Sequence, residues 1–350
     1  MVELGWDDGW RAAFEVVDRP GTSPGRVARV DRAVCTVLGP EPHRVATAGP
    51  VAVGDWVVVG PGDQSGDRPV VRLVLPRRSA FLRKRAGLEA TEQVVAANVD
   101  TVLIVVGLDS PVNPRRLERS LALAWQSGAV PVVVLTKADG CSDDERAAAR
   151  ADAVGLAGEA AVHLLSARTG EGLDELVAGH LRPGRTMALI GPSGVGKSTL
   201  VNRLAGAEVM ATGEVRSDTR GRHTTTHREL VLLPGRGLLL DTPGMRGLGL
   251  WDAEEGLAQT FPDVEALAGS CRFSDCAHET EPGCALRAAL ADGTLDPARF
   301  SSWRALTREL EDVAGRRRDR DDAEAARRKD ANVAQRRQRA QKRDRRDDRD

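Results

Sequence analysis

Long apolar stretches are missing from this chain. No run approaches the roughly 20 residues that a membrane span needs, and the opening MVELGWDDGW has neither the basic residues nor the apolar stretch of a secretory leader. A cytoplasmic protein with no membrane partner is therefore expected. Cysteine is scarce and odd in number: five residues, of which Cys271, Cys276 and Cys284 crowd together, while Cys35 and Cys141 stand apart as structural residues. That count argues against the even-numbered disulfide framework of a small secreted domain and points to a metal site. Lysine is scarcer still in proportion, since Lys84, Lys137, Lys197, Lys329 and Lys342 are the only ones among 50 basic residues. Where arginine is the default cation, a lysine marks a place that wants a compact point charge.

What is present fits a globular protein of two or three domains: 350 residues, 41% hydrophobic and 29% charged. The net charge of -1 hides an asymmetry, because residues 316–350 carry 15 Lys or Arg against 9 Asp or Glu. Residues 1–85 read as short β-branched strands and polar turns, as in GRVARVDRAVCTVLG and VAVGDWVVVG; five such strands suit a small closed barrel. LPRRSAFLRKRAG reads as a basic linker. Over residues 86–250, continuous apolar runs (TVLIVVG, VPVVVLT, AVHLLSA, TMALIG, RELVLLP, GLLLDT) alternate with helical segments, which indicates an α/β domain with a covered parallel sheet. Residues 251–315 read as helical around the cysteines. Residues 316–350 read as a charged, solvated, partly disordered tail, with RNA contact as the secondary reading.

Two motifs carry nucleotide chemistry. GPSGVGKST, comprising Gly191, Pro192, Ser193, Gly194, Val195, Gly196, Lys197, Ser198 and Thr199, fits a phosphate loop between an apolar strand and a helix-like segment. Glycines let backbone N–H groups face a β-phosphate, Lys197 bridges the β- and γ-phosphates, and Ser198 holds Mg²⁺. The other is TKAD: Thr136, Lys137, Ala138 and Asp139. Asp139 can accept both N–H groups on the pairing edge of guanine, with the Lys137 stem along the base plane. A four-residue match is weak alone, but SARTGEGL follows the next apolar strand, where Ser166 and the Ala167 N–H can complete base recognition at O6.

The remaining elements sit later. In LLLDTPG, Asp241 can hold Mg²⁺ through water and the Gly244 N–H can contact a γ-phosphate. In RSDTRGRHTTTHREL, one threonine completes the Mg²⁺ shell; Thr225 is chosen among Thr224, Thr225 and Thr226. Met245 follows Gly244 and cannot orient an attacking water. Either a partner completes the site or another residue does so; His223 is the candidate, and a surface histidine serving a partner is the competing reading. The order base, base, phosphate, switch, switch is that of a circularly permuted nucleotide domain. Beyond it, CRFSDCAHETEPGC offers Cys271, Cys276, His278 and Cys284, a Cys₃His set suited to one closed structural zinc site.

These strings, together with VGDWV, VAANVDTVLIV and the run joining GRHTTTHREL to DTPG, make the chain similar to the RsgA-type GTPases, the circularly permuted, ribosome small-subunit-dependent bacterial family. The resemblance spans residues of about 25–310. It implies an N-terminal OB-fold barrel, a permuted P-loop GTPase and a C-terminal helical zinc domain. It further implies GTP and GDP as ligands, the 30S subunit and its 16S rRNA as partners in late subunit maturation, and stimulation of hydrolysis by that subunit. His223 matches a histidine proposed to aid hydrolysis in that family, and a monomer is expected. Thr136 departs from the commoner Asn, and the charged tail is unexplained by the family motifs. Two other readings stay open: an RNA-binding module that uses the nucleotide only as a switch, and the use of ATP.

Overall fold

The computed structural model describes residues 1–31, 33–39, 43–47, 49–62, 67–84, 92–208, 229–241, 254–315, 318–319 and 322, without the side chains of 84, 92, 241 and 254. Five strands form the N-terminal barrel: β1 (Ser23–Asp31), β2 (Val34–Leu38), β3 (His43–Thr47), β4 (Trp56–Gly60) and β5 (Val70–Val74). Their order is β1-β2-β3-β5-β4, and β4 pairs back onto β1 to close the ring, with β3 and β5 the one parallel pair. This is the expected OB-fold connectivity. Val27, Val37, Val45, Val57 and Val59 fill it, since β-branched side chains at every second position stack on the inner face of a pleated sheet. Cys35 lies among them, and burial pushes its thiol up to about 11, which leaves it a packing residue.

Sequence patterning had placed only strands here, but a helix precedes the barrel. A 3₁₀ turn (Val2–Leu4) leads into α1 (Asp8–Glu15), whose first turn is capped by Asp7 accepting from the Trp10 amide at 3.0 Å. Asp7 also takes both ends of the Arg78 guanidinium at 2.6 Å, and this pairing holds its carboxyl down at about 2. Trp6, Trp10 and Trp56 meet there around a cavity of about 410 Å³. Beside them Arg26 is buried and lowered to about 10 by that burial. Its guanidinium donates to the carbonyls of Leu4 and Asn98 (2.9 Å for the latter) and to Thr186 Oγ1 (2.7 Å). One side chain thus ties the N-terminal segment, the barrel and the following domain together. The VGDWV turn adds a second tie: Asp55, fully buried, takes Arg77 at 2.7 and 2.8 Å. A Cβ on Gly54 would lie 2.0 Å from the Ala97 carbonyl, so only glycine permits this approach.

Within the stretch read as a linker, Ala80–Lys84 form a strand, β6, which pairs antiparallel with β7 (Glu92–Ala97). Then come β8 (Thr101–Gly107), α2 (Pro114–Gln126), β9 (Val130–Thr136), α3 (Asp143–Ala157), β10 (Ala161–Leu164), α4 (Leu173–His180), β11 (Thr186–Ile190), α5 (Lys197–Ala205), β12 (Glu229–Leu233) and β13 (Gly237–Asp241). In space the strands run β10-β9-β8-β11-β13-β12, so β11, late in the chain, lies parallel to β8, which comes first. Five strands are parallel, as their unbroken apolar runs suggested. β12 is the exception, because the three-residue turn 234–236 joins it to β13 and is too short for a parallel crossover. The barrel is attached to this sheet through β1 and β12, with Arg29 opposite Glu229.

Three short helices, α6 (Glu254–Thr260), α7 (Pro262–Ala268) and α8 (Ala285–Asp292), and a longer one, α9 (297–315), form the C-terminal unit. Its core of Phe261, Val264, Leu286, Leu295 and Trp303 packs on Ala122 of α2. Glu118 of α2 is fully buried and burial raises its carboxyl, yet it meets Arg299 at 3.0 Å, and Arg119 pairs with Glu309. Among the described residues no helix is long and apolar enough to cross a membrane. The tail expectation, beyond residues 318, 319 and 322, lies outside the described residues.

Replacing Arg26 with Ala removes the donor for four buried acceptors at once, the Gly54 carbonyl at 3.4 Å included. Urea denaturation of the variant should show a loss of about 3 kcal/mol in unfolding free energy, against under about 1 kcal/mol for an exposed control such as Arg11→Ala.

Candidate active site

The phosphate loop follows the last residue of β11. Gly191 adopts φ 148°, and a Cβ there would lie 2.4 Å from the Val105 carbonyl; Gly194 and Gly196 also take positive φ, at 82° and 95°. Glycine at these positions lets the chain curl into the start of α5, and the N-terminal end of a helix favours an anion. Lys197 opens α5 and arches its ammonium back over the loop, donating to the carbonyls of Gly191 (2.8 Å) and Pro192 (2.5 Å). Ser198 and Thr199 stand in the first turn of α5, Ser193 and Gly194 are exposed, and Val195 is buried as the loop's apolar anchor.

The base-reading loops end β9 and follow β10. Thr136 is buried, and its hydroxyl reaches the Val195 carbonyl at 2.6 Å and that of Val106 at 3.2 Å. The residue that stands where Asn is commoner therefore ties the phosphate loop to the base-reading strand. Lys137 takes a left-handed conformation, φ 65°, and its ammonium lies 2.7 Å from Asp109 Oδ2, just past β8. Ala138 is buried, with its carbonyl accepting from Arg146 Nε at 2.8 Å. Asp139 accepts the Ser166 hydroxyl at 2.5 Å and Arg168 Nε at 2.7 Å; these bonds, Ser166 first, hold its carboxyl below the usual carboxylate range. Ala167 is buried beside them, and Gly172 caps α4 where a Cβ would lie 2.2 Å from the Leu164 carbonyl.

Thus Thr136, Lys137, Ala138, Asp139, Ser166, Ala167 and residues 191–199 share the edge formed by the C-terminal ends of β8, β9, β10 and β11. This is where ligands bind in open α/β sheets. Asp241 is the last residue of β13, beside β11 on the same edge, although its side chain is not among those described. His223, Thr225 and Gly244 lie outside the described residues. Sequence reasoning missed Asp109 and Arg168, whose partners become visible only once the loops after β8, β9 and β10 are side by side.

A second cluster lies in the C-terminal unit, where the candidate ligand atoms of Cys271, Cys276, His278 and Cys284 all fall within 4.8 Å of one another. Four ligands around one tetrahedral ion, with bonds of about 2.3 Å to sulfur and about 2.05 Å to nitrogen, require S–S edges of about 3.8 Å and S–N edges of about 3.6 Å. The Cys271–Cys284 sulfurs are 3.9 Å apart, and each is 3.5 Å from His278 Nδ1. The residues fit a metal ion. Although burial works against it, the amides of Ala285 and Leu286 at the start of α8 draw the Cys271 thiol below its ordinary value, while burial pushes that of Cys276 up to about 11, so an ion bound here must displace the Cys276 proton. Glu281 closes the loop by accepting from the amides of Ala277, Glu279 and Thr280.

Permuted connectivity with the phosphate and base loops on one edge defines a circularly permuted P-loop GTPase. Residues 74–251 match the family model described as RsgA GTPase, and the chain belongs to that family. It is 46% identical to the small ribosomal subunit biogenesis GTPase RsgA of Streptomyces avermitilis, over 90% of this chain and 87% of that protein. It is 47% identical to the protein of the same description from Opitutus terrae, over 88% and 89%. Among solved structures, it resembles YjeQ from Thermotoga maritima with a TM-score of 0.61 and 27% identity, covering 84% of this chain and 99% of that one. It also shares the fold of YloQ, described as a circularly permuted GTPase, with a TM-score of 0.58 at 22% identity, covering 83% and 96%.

Two outcomes follow from this geometry. Thr136→Val keeps the shape but leaves the Val195 carbonyl without its donor, and should weaken GDP binding by about fivefold in calorimetry. Cys276→Ser should lower metal content from one equivalent per chain toward zero and raise hydrogen exchange in residues 271–292, with the amides of β8 and β11 still protected.

Proposed function

We propose that the chain is a GTP hydrolase of late small-subunit maturation, which binds the 30S ribosomal subunit and its 16S rRNA in the GTP state and leaves after hydrolysis. The observation that carries this reading is 46% identity across 90% of the chain to a relative described as a small ribosomal subunit biogenesis GTPase. Such work belongs in the cytoplasm, and the one-chain site calls for no second copy.

In this reading Lys137 and Asp139, with Ser166 and the Ala167 amide, select guanine, and Thr136 positions the phosphate loop against them. The amides of residues 191–199 and the Lys197 ammonium take the phosphates. Ser198 and Thr225 would hold Mg²⁺, and Asp241 would do so through water; the ion, when bound, neutralises charge on the phosphates. The Gly244 amide answers to the γ-phosphate. Met245 offers no group to orient water, so His223 or a group of the subunit does so. The Cys₃His cluster takes one zinc as a closed structural site, because three thiolates and an imidazole leave no open position for chemistry. Boundaries near residues 85, 250 and 315 then separate barrel, GTPase, zinc unit and tail.

The clamp between α2 and the C-terminal unit serves a hydrolase and an RNA-binding module switched by the nucleotide alike, so hydrolysis itself separates the two. α2 begins shortly past Asp109, the partner of Lys137, and packs its Glu118 and Ala122 against the C-terminal unit, so the loop beside the base site runs into the helix that meets the zinc unit.

The test is single-turnover GTP hydrolysis with and without purified small subunits. Turnover should be slow alone and should rise at least about tenfold with subunits; equal rates would remove the partner-completed mechanism. His223→Ala, compared in both conditions, separates a histidine that orients water from one that serves docking: the first lowers both rates, the second only the stimulated one.

A further inference from the structure

The reading of Asp139 as the guanine selector leaves Arg168 without an assigned role, and the inference drawn here rests on that reading. The Arg168 guanidinium sits on the Asp139 carboxylate, with Nε 2.7 Å and Nη2 2.5 Å from Oδ2, while Oδ1 takes the Ser166 hydroxyl at 2.5 Å. With these groups over it, the Asp139 side chain keeps 17% of its exposure, whereas that of Arg168 stands 76% exposed. The pairing edge of guanine, N1–H and the exocyclic N2–H around C2, is itself a guanidine unit. Arg168 therefore offers Asp139 the same planar pair of donors that the base would bring, plus a formal charge.

A base edge and this guanidinium cannot occupy the same oxygen at the same angle. We propose that Arg168 is an internal competitor of guanine: it holds Asp139 in the place of the base edge and must swing out when a guanine nucleotide enters. An exposed guanidinium on a long, mobile stem suits that role. The pair is strong enough to occupy the carboxylate but, being in contact with water, weak enough to be displaced by a ligand also held through its phosphates. The consequence is a nucleotide site with lowered affinity and faster release, because the arginine can retake the carboxylate as the base departs. The effect is electrostatic, so salt weakens the competitor.

The test measures GDP affinity and dissociation rate with a fluorescent GDP analogue on the full chain. Arg168→Ala should tighten binding by about threefold, chiefly through slower release. Arg168→Lys, which keeps the charge without the paired donors, should fall between it and wild type. Raising salt from low to about 0.5 M should narrow the gap between wild type and Arg168→Ala. In an Asp139→Asn background, assayed with xanthosine diphosphate, the gap should shrink because the competitor has lost its charged partner. Unchanged or weaker GDP binding by Arg168→Ala overturns the proposal, since the side chain would then be inert or would support the base. Failure of the underlying reading shows separately: Asp139→Asn alone would not shift preference from guanosine to xanthosine nucleotides.

Discussion

The parallel pairing of β8 with β11 is the constraint on which the nucleotide site depends. Residues 101–104 lie against 187–190 in register, and this seam brings the base-reading half, early in the chain, against the phosphate half that follows it. No covalent link enforces the contact, because the connection between the halves runs away through β9, β10 and α4. Buried Val102, Leu103, Ile104, Ala188 and Leu189 hold it, each worth roughly 1–3 kcal/mol of apolar burial according to size. Thr136 then crosses the seam with one hydrogen bond to Val195 and sets the height of the phosphate loop relative to the base site. A sheet can be cut and rejoined in this way because a strand edge is recognised by its partner's backbone and its apolar face, and chain order enters neither.

The parts of the site that were legible in the sequence are those whose chemistry is contiguous. Gly191, Gly196, Lys197 and Ser198 form one loop, so their spacing already carries the geometry, and the steric limits at Gly191 explain the residue found there. The Cys₃His set was legible for the same reason, three of its members lying within eight residues. Arg26 was not legible, since its partners Leu4, Gly54, Asn98 and Thr186 are scattered along the chain. Helix α1 is not legible in the sequence because it is short and finds its apolar partner in Trp56 of the barrel, far along the chain. The antiparallel course of β12 was hidden by an apolar pattern that a buried strand shows in either direction; only the brevity of its turn decides it.

Charge is handled differently at the two ends of the nucleotide domain. At the ligand edge the ion pairs are partly open to water: Lys137 with Asp109, Arg168 with Asp139, Arg146 with Glu171. They are cheap to exchange for a ligand's groups. On the flank that meets the C-terminal unit, Glu118 is fully buried with Arg299, whose other nitrogens are taken by Asp263 and the Thr260 carbonyl. Removing either partner there strands a charge, which makes the contact strong in register although the pair itself adds little net stability. The protein thus keeps labile electrostatics where nucleotides come and go, and committed electrostatics where its parts must stay aligned.

The junction of β1 with β12 gives the barrel an unusual mechanical position. Arg29 lies opposite Glu229, and Glu229 is the first residue of the strand that follows the Thr- and Arg-rich sequence of residues 209–228. The barrel is spliced to the sheet at this strand pair, much as a plank is joined along its grain, and Arg26, also on β1, adds a separate tie to Thr186 at the start of β11. A tug on the start of β12 is then borne by the barrel wall itself. Barrel and nucleotide domain must tumble as one body, and any surface the barrel presents to a large particle keeps a fixed bearing relative to the nucleotide.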